Sequence, residues 1–312
     1  MSAVASCRMT EPTSDPGSDD DGTVRWSQLV VEARRRFDAA GLPDAAVSAR
    51  RIVEEASGYE GAEYVLGLDR PATTRGVAQF DRLVERRRRG EPLQYVLGHW
   101  GFRSLDLFVD GRVLIPRPET EQVVGWALDQ IDRLASDVDS RPLVVVDLGT
   151  GSGAIALAVA TERSRTHVWA TDVSAEALEV TGANLSALGR PAGRVRLAQG
   201  SWFDALPVEL RGQVDVVISN PPYVAATDVL PAEVADWEPA GALVPGPTGL
   251  EALLHLVSQA PSWLARPGVL VIELAPSQAV AIRAAALDAG FTEATIEDDY
   301  AGRARAVVTR IA

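Results

Sequence analysis

Val144-Val145-Val146-Asp147-Leu148-Gly149-Thr150-Gly151-Ser152-Gly153-Ala154 runs from an apolar stretch into a glycine-punctuated turn and then into helix-forming residues. An apolar run without alternation suits a strand covered on both faces, as in a parallel sheet. The glycines let the chain turn sharply from strand to helix. They also leave backbone N–H groups pointing outward at the helix start, where a ligand's polar groups are received. The spacing is G-x-G-x-G, which does not favour a pyrophosphate as G-x-G-x-x-G does. Tight strand-to-helix packing explains such glycines equally well, so the turn alone does not decide a function.

The same alternation continues downstream. Strands are expected over 167–170, 195–198, 214–218 and 269–273, with helices over 154–160, 175–188, 250–264 and 277–289. Segments 291–296 and 304–311 read as a closing pair, and 224–247 as a long proline-rich loop. Strands alternating with helices predict an α/β fold with a mostly parallel, doubly wound sheet. In such sheets ligands gather at the carboxyl ends of the strands. Asp172 ends the second strand, at the interval where a carboxylate accepts from ribose hydroxyls. Glycine turn and acid together describe an adenosine-type pocket with no phosphates to hold, as S-adenosylmethionine would need. Asp147 is expected to order the turn instead of touching ligand. Trp202, just past the third strand, is placed either to stack on an adenine or to fill the core. The turn residues Gly200-Ser201 favour stacking.

Ser219-Asn220-Pro221-Pro222-Tyr223 follows the strand expected at 214–218. Two prolines fix φ twice, remove two donors and hold Asn220 in an extended conformation. The result is a stiff platform offering a side-chain amide, carbonyls without competing N–H groups, and a ring. It suits a planar group with N–H donors and a face to stack; a plain strand-ending turn is the alternative.

Upstream, residues 1–24 are rich in Ser, Asp, Pro, Thr and Gly and are expected to be a disordered extension. Residues 25–90 read as a small helical domain: Leu29, Val30, Ala33 and Phe37 share one face, Val47, Ile52 and Val53 a second, and Val77, Phe80, Leu83 and Val84 a third. Arg86 to Arg89 read as the solvated, macrodipole-matched end of its last helix. Residues 91–122 read as an extended connector, with a strand at Leu105, Leu107 and Val109, a hairpin turn at Asp110-Gly111 and a returning strand Val113-Leu114-Ile115. Pro116-Arg117-Pro118-Glu119-Thr120-Glu121 then opens a helix, and 123–312 form the sheet domain.

The chain has 312 residues, of which 46% are hydrophobic and 23% charged, the composition of a globular protein. Its net charge of -13 stays near -9 without residues 1–24, so its overall field does not attract phosphate backbones. The one cysteine, Cys7, supports no disulfide framework, metal cluster or thiol nucleophile. With no membrane-spanning run and no leader pattern, a cytoplasmic protein free of membrane and nucleic-acid contacts is expected.

Taken together, Ile115 to Glu121, Asp147 to Gly153 and Asn220-Pro221-Pro222-Tyr223 resemble the HemK/PrmC family of glutamine methyltransferases that modify peptide-chain release factors. Gly90 to Gly98 and Ala301-Gly302-Arg303 extend the likeness, which spans about residues 26–311. The resemblance implies a class I S-adenosylmethionine-dependent methyltransferase fold with a seven-stranded sheet and a small N-terminal helical domain that docks the protein substrate. It implies that Gly149, Thr150, Gly151, Ser152, Gly153 and Asp172 bind the cofactor, with Trp202 against its adenine and Asn220 between cofactor and substrate. Asn220, Pro221 and Tyr223 would be catalytic. Those three with Pro222, Arg117 and Glu119 would meet the glutamine of a Gly-Gly-Gln loop; no metal takes part. Two readings stand for Arg117 and Glu119: they line the substrate entrance, or they brace the connector. The sequence departs from the family pattern at Glu273-Leu274-Ala275 and Ala242 to Gly246. Both are expected at the pocket mouth, with consequences for loop shape and substrate choice. A monomer acting on release factors is expected. The alternatives are a ribosomal-protein glutamine methyltransferase, an adenine-N6 nucleic-acid methyltransferase, which would need a basic channel, and a non-catalytic S-adenosylmethionine-binding module.

Overall fold

A computed structural model describes residues 23–137 and 141–312. Cys7 and almost all of the extension expected at 1–24 lie outside these described residues. The chain forms two units, one reaching to Arg88 and one from Arg89 to Ala312.

The first unit packs helices α1 (Trp26–Ala39), α2 (Ala45–Ser57), α3 (Gly61–Gly67) and α4 (Thr74–Arg88). Leu29, Ala33 and Phe37 of α1, Ile52 and Val53 of α2, and Phe80 and Val84 of α4 are buried together at helical spacing. Gly76 lets α4 approach α1 closely: a Cβ there would stand 2.6 Å from the Trp26 ring. Two expectations need correction. Val47 is 54% exposed, on the outer side of α2. Arg87 is buried, and its Nε donates to Ser48 Oγ at 3.2 Å, so only its neighbours form the solvated helix end.

The second unit begins with α5 (Leu93–Leu97), not with extended chain. Pro92 precedes its first turn, and Gly98 closes it in the left-handed region, donating to Gln94 O at 2.9 Å. Strands β1 (His99–Phe102) and β2 (Leu105–Phe108) then form an antiparallel hairpin. Its two-residue loop needs φ > 0, and Arg103 supplies φ 52°. The Arg103 guanidinium is anchored by both oxygens of Glu162 at 2.5 and 2.7 Å. The hairpin therefore turns one strand earlier than Asp110-Gly111, and Val113 to Ile115 form no returning strand. Asp110 Oδ1 accepts from Arg112 N at 3.1 Å, and Val113 N donates to Asp110 O at 3.1 Å. The Ile115 N–H goes to the Glu238 side chain at 3.2 Å and not to a strand ladder.

Next come α6 (Pro118–Asp137), β3 (Leu143–Leu148), α7 (Ala154–Glu162), β4 (Thr166–Asp172), α8 (Ala175–Ala187), β5 (Val195–Gln199) and β6 (Val214–Ser219). The short α9 (Ala232–Ala235), α10 (Glu251–Gln259), β7 (Leu264–Glu273), α11 (Ala279–Asp288), β8 (Glu293–Asp298) and β9 (Ala304–Ile311) complete the chain. Helix α10 stops short of the expected Leu264, with Pro261 just beyond its end.

The seven-stranded sheet has the order β5-β4-β3-β6-β7-β9-β8, parallel except for β9, which runs antiparallel to both neighbours. Successive residues serve opposite faces: Val145, Val216 and Ile218 pack under α6, α7 and α8, while Val146, Val217 and Leu270 pack under α10 and α11. This is the doubly wound sheet that the alternation predicts. From β3 the order runs one way to β4 and β5 and the other way to β6 and β7, so its switch point opens between the ends of β3 and β6. Among the described residues no helix is long and apolar enough to cross a membrane, and no cluster of His, Cys, Asp or Glu is arranged to hold a metal ion.

Candidate active site

At the end of β3 the turn is built from Gly149, Gly151 and Gly153 at φ +76°, +57° and +86°, values a side chain rarely adopts. Gly149 N and Thr150 N both donate to Thr171 O at 2.9 and 2.8 Å, joining the turn to the end of β4. Asp147 lies beneath it, fully buried; its Oδ2 accepts from Thr150 Oγ1 at 2.6 Å and Ala156 N at 3.1 Å. Oδ1 has no partner, and burial pushes the carboxyl up to about 7. Asn184 of α8 donates to Ser152 O at 2.8 Å and to Phe108 O at 3.0 Å, fastening β2 to the turn.

A cavity of about 290 Å³ opens over this turn. Gly149, Thr150, Gly151 and Ser152 form its floor, with Asp172, Trp202, Asn220 and Pro222 in its walls. Asp172 accepts from Gly151 N at 2.9 Å through Oδ2 and from Ser174 N at 3.0 Å through Oδ1. An ionised carboxylate offers roughly four acceptor positions, so about half remain for a ligand's hydroxyls. The Trp202 ring lies over Gly149, 3.5 Å from where a Cβ would stand. Gly153 is not part of the lining: a Cβ there would meet Thr181 at 2.9 Å and Leu157 at 3.0 Å, so close packing requires this glycine. Arg112 is the one basic residue of the lining, and Asp110 at 2.7 Å and Glu179 at 2.9 Å already hold its guanidinium. Among the described residues of the lining, the one guanidinium is thus already paired within the protein, an arrangement that suits a ligand without phosphates.

At the end of β6, Ser219 Oγ donates to Leu148 O at 2.7 Å and locks the two strand ends together. The following corner borders a second chamber of about 60 Å³, lined by Asn220, Pro221, Tyr223 and Arg117 among others. Asn220 borders both cavities, as do Leu114 and Ala242. Pro222 faces the larger cavity only. Among the described residues, no protein donor reaches Asn220 Oδ1 or the Pro221 carbonyl. Arg117 both lines the small chamber and pairs with buried Glu238, which ties the connector to the proline-rich loop. Glu119 lines neither cavity and faces Arg303 at 3.7 Å.

Two residues come to this corner from afar. Thr120, in the first turn of α6, accepts from Asn220 Nδ2 at 3.3 Å and donates to Glu273 Oε2 at 2.8 Å. Glu273, at the end of β7, also accepts from the Tyr223 hydroxyl at 3.3 Å through Oε1. Glu273 is therefore not at the pocket mouth, where the segment Glu273-Leu274-Ala275 was expected. It is 1% exposed and stands behind Asn220 and Tyr223. Neither residue has a local sequence signal for this role; only the sheet order brings β7 beside β6.

Residues 28–98 match the family described as PrmC N-terminal domain, and residues 131–235 the one described as methyltransferase small domain. A protein of Xylella fastidiosa named "Release factor glutamine methyltransferase" is 41% identical over 78% of this chain and 84% of its own. Relatives of the same name from Agrobacterium fabrum (32% identity, 93% of this chain, 98% of the relative) and Streptomyces coelicolor (38%, 80% and 84%) match equally broadly. The solved catalytic domain of hMettl16 with MAT2A 3′UTR hairpin 6 has a TM-score of 0.50 at 15% identity, covering 67% of this chain and 75% of that one, a likeness of fold alone. Fold, glycine turn, proline corner and relatives agree: the chain belongs to the release factor glutamine methyltransferase family.

Proposed function

We propose that this protein transfers a methyl group to the side-chain amide nitrogen of the glutamine in the Gly-Gly-Gln motif of class 1 peptide chain release factors. S-adenosylmethionine supplies the methyl as a sulfonium electrophile. The glycine turn, Asp172 and Trp202 would hold it through backbone donors, ribose hydroxyls and adenine face. The carrying observation is Asn220, which borders both chambers with its side-chain oxygen unclaimed. Asn220 Oδ1 and the Pro221 carbonyl accept from the two amide hydrogens and orient the nitrogen toward the larger cavity. As that nitrogen takes the methyl it gathers positive charge, which two fixed oxygens stabilise before a proton leaves to water. Tyr223 offers its ring to the amide plane.

The small chamber, about 60 Å³, has room for a few waters or a carboxamide. Both chambers are lined within 89–312 of one chain, which fits a monomer. Release factors are soluble translation proteins, so the enzyme would work in the cytoplasm, with its helical unit docking the substrate. The test incubates the purified protein with methyl-labelled S-adenosylmethionine and a release factor. Label is expected on the factor, lost when its Gly-Gly-Gln glutamine is changed to Ala, and reduced roughly 100-fold or more with Asn220→Ala. Label that survives the glutamine change defeats the proposal.

A further inference from the structure

Glu273 has almost no water around it, yet each of its oxygens meets only a hydroxyl: Thr120 Oγ1 at 2.8 Å and Tyr223 Oη at 3.3 Å. Arg305 on β9, the cation whose charge bears on Glu273, bonds Asp299 at 3.4 Å, and its Nε has no partner. A neutral side chain would hold a core here at lower cost, because a buried carboxylate forfeits its hydration.

Proton counting shows what the charge does. An ionised carboxylate only accepts, and a threonine hydroxyl has one proton to give. With that proton committed to Glu273, Thr120 Oγ1 must accept from its other neighbour, the Asn220 amide. The NH2 end of Asn220 is thereby turned to Thr120 and its oxygen left to the substrate chamber. Tyr223 spends its proton on the other oxygen of the same carboxylate, which fixes the ring.

We propose that Glu273 is a positioning residue whose ionised form, acting through Thr120, sets which end of the Asn220 amide faces the substrate. The inference deepens the glutamine methylation proposed above and rests on it. When Glu273 is protonated it donates to Thr120, whose own proton is then free for Asn220 Oδ1. The amide turns over, and NH2 faces NH2. Burial pushes the Glu273 carboxyl up to about 7, against the pull of the Thr120 hydrogen bond, the Arg305 charge and the Tyr223 hydrogen bond. Glu119 adds a smaller upward push, and Gln278, from the turn before α11, is neutral. The polarity thus changes within the range of ordinary assays.

Glu273→Gln imitates the protonated acid in shape and donor capacity. Its kcat is expected to fall roughly 100-fold with release-factor KM little changed. The acidic limb of log kcat against pH, centred near 7 in the wild type, should vanish. Thr120→Val should give the same loss, the double variant should be no worse than either single one, and Thr120→Ser should restore most of the rate. Wild-type kcat in Glu273→Gln, a retained acidic limb, or additive losses would overturn the assignment. A second readout needs no turnover: the 15N side-chain resonance of Asn220, identified by its absence in Asn220→Asp. It should titrate near neutral pH in the wild type and stay constant in Glu273→Gln. If the wild type leaves release factors unlabelled, the glutamine reading falls, and this resonance still decides for or against Glu273.

Discussion

Asp147 and Glu273 are two carboxyl groups kept from water, and burial raises each to about 7 from ordinary values of 3.8 and 4.5. Between those limits the folded protein keeps protons that the unfolded chain has released. Stability from these groups therefore declines as pH rises from about 4 to 7 and is flat above. Asp299, held near 2 by the Arg303 backbone and guanidinium, works in the opposite sense: its contribution is present above about 3.8 and is lost as pH falls toward 2. Asp147→Asn should therefore lessen the fall in melting temperature between pH 5 and pH 8, because one of the two titrating groups is gone. Thermal melts at both pH values check this; an unchanged difference would show that Asp147 titrates normally. The residues legible in sequence were those that announce themselves locally, such as three glycines in five positions or Asn before two prolines. Thr120 and Glu273 both stand in segments noted in the sequence, yet nothing local marks either for this role. One lies 100 residues before Asn220 and the other 153 residues after Thr120, and only the packing of α6 and the order of the strands join them.

The proline corner is clamped by its neighbouring elements. Gln278 Nε2 donates to Tyr223 O at 2.8 Å and to Gly249 O at 3.1 Å, while its Oε1 takes Ala275 N at 3.0 Å. Gly249 sits at φ +78°, and a Cβ there would stand 2.5 Å from the Tyr223 carbonyl. Backbone cannot yield as a flexible side chain does, so Gly249→Ala should push Tyr223 out of place. Beyond roughly 1–3 kcal/mol of stability, the methylation rate should fall more than about tenfold. Parallel thermal and kinetic measurements check it, and a wild-type rate in a folded variant would show that the clamp is dispensable. The elements near this clamp were also the hardest to read. Leu93 to Leu97 is too short for apolar spacing to separate helix from strand. The turn signal at Asp110-Gly111 is genuine, but its exit is captured by Glu238, 123 residues away from Ile115. Long buried strands such as β3 and β6 were legible because a two-sided burial writes itself as an unbroken apolar run.

At the scale of the whole molecule, the residues described above as lining the two chambers all belong to the second unit. A fragment comprising 89–312 should bind S-adenosylmethionine within a few-fold of the full chain. It should lose most of its kcat/KM toward an intact release factor, because the helical unit proposed above to dock the factor is gone. Calorimetry with the cofactor and steady-state kinetics with the factor check both halves; full kcat/KM in the fragment would remove docking from the helical unit. Alternating strands and helices forecast the doubly wound sheet, but the insertion of β9 between β7 and β8 has no local signature, being a matter of which edge the last strand finds. Asn220 borders both chambers, together with Leu114 and Ala242. A molecule that shifts Asn220 from one side changes the surface met from the other, and linkage makes any such coupling mutual. Whatever factor a loaded donor applies to the hold on the proposed glutamine loop, that loop applies to the hold on the donor.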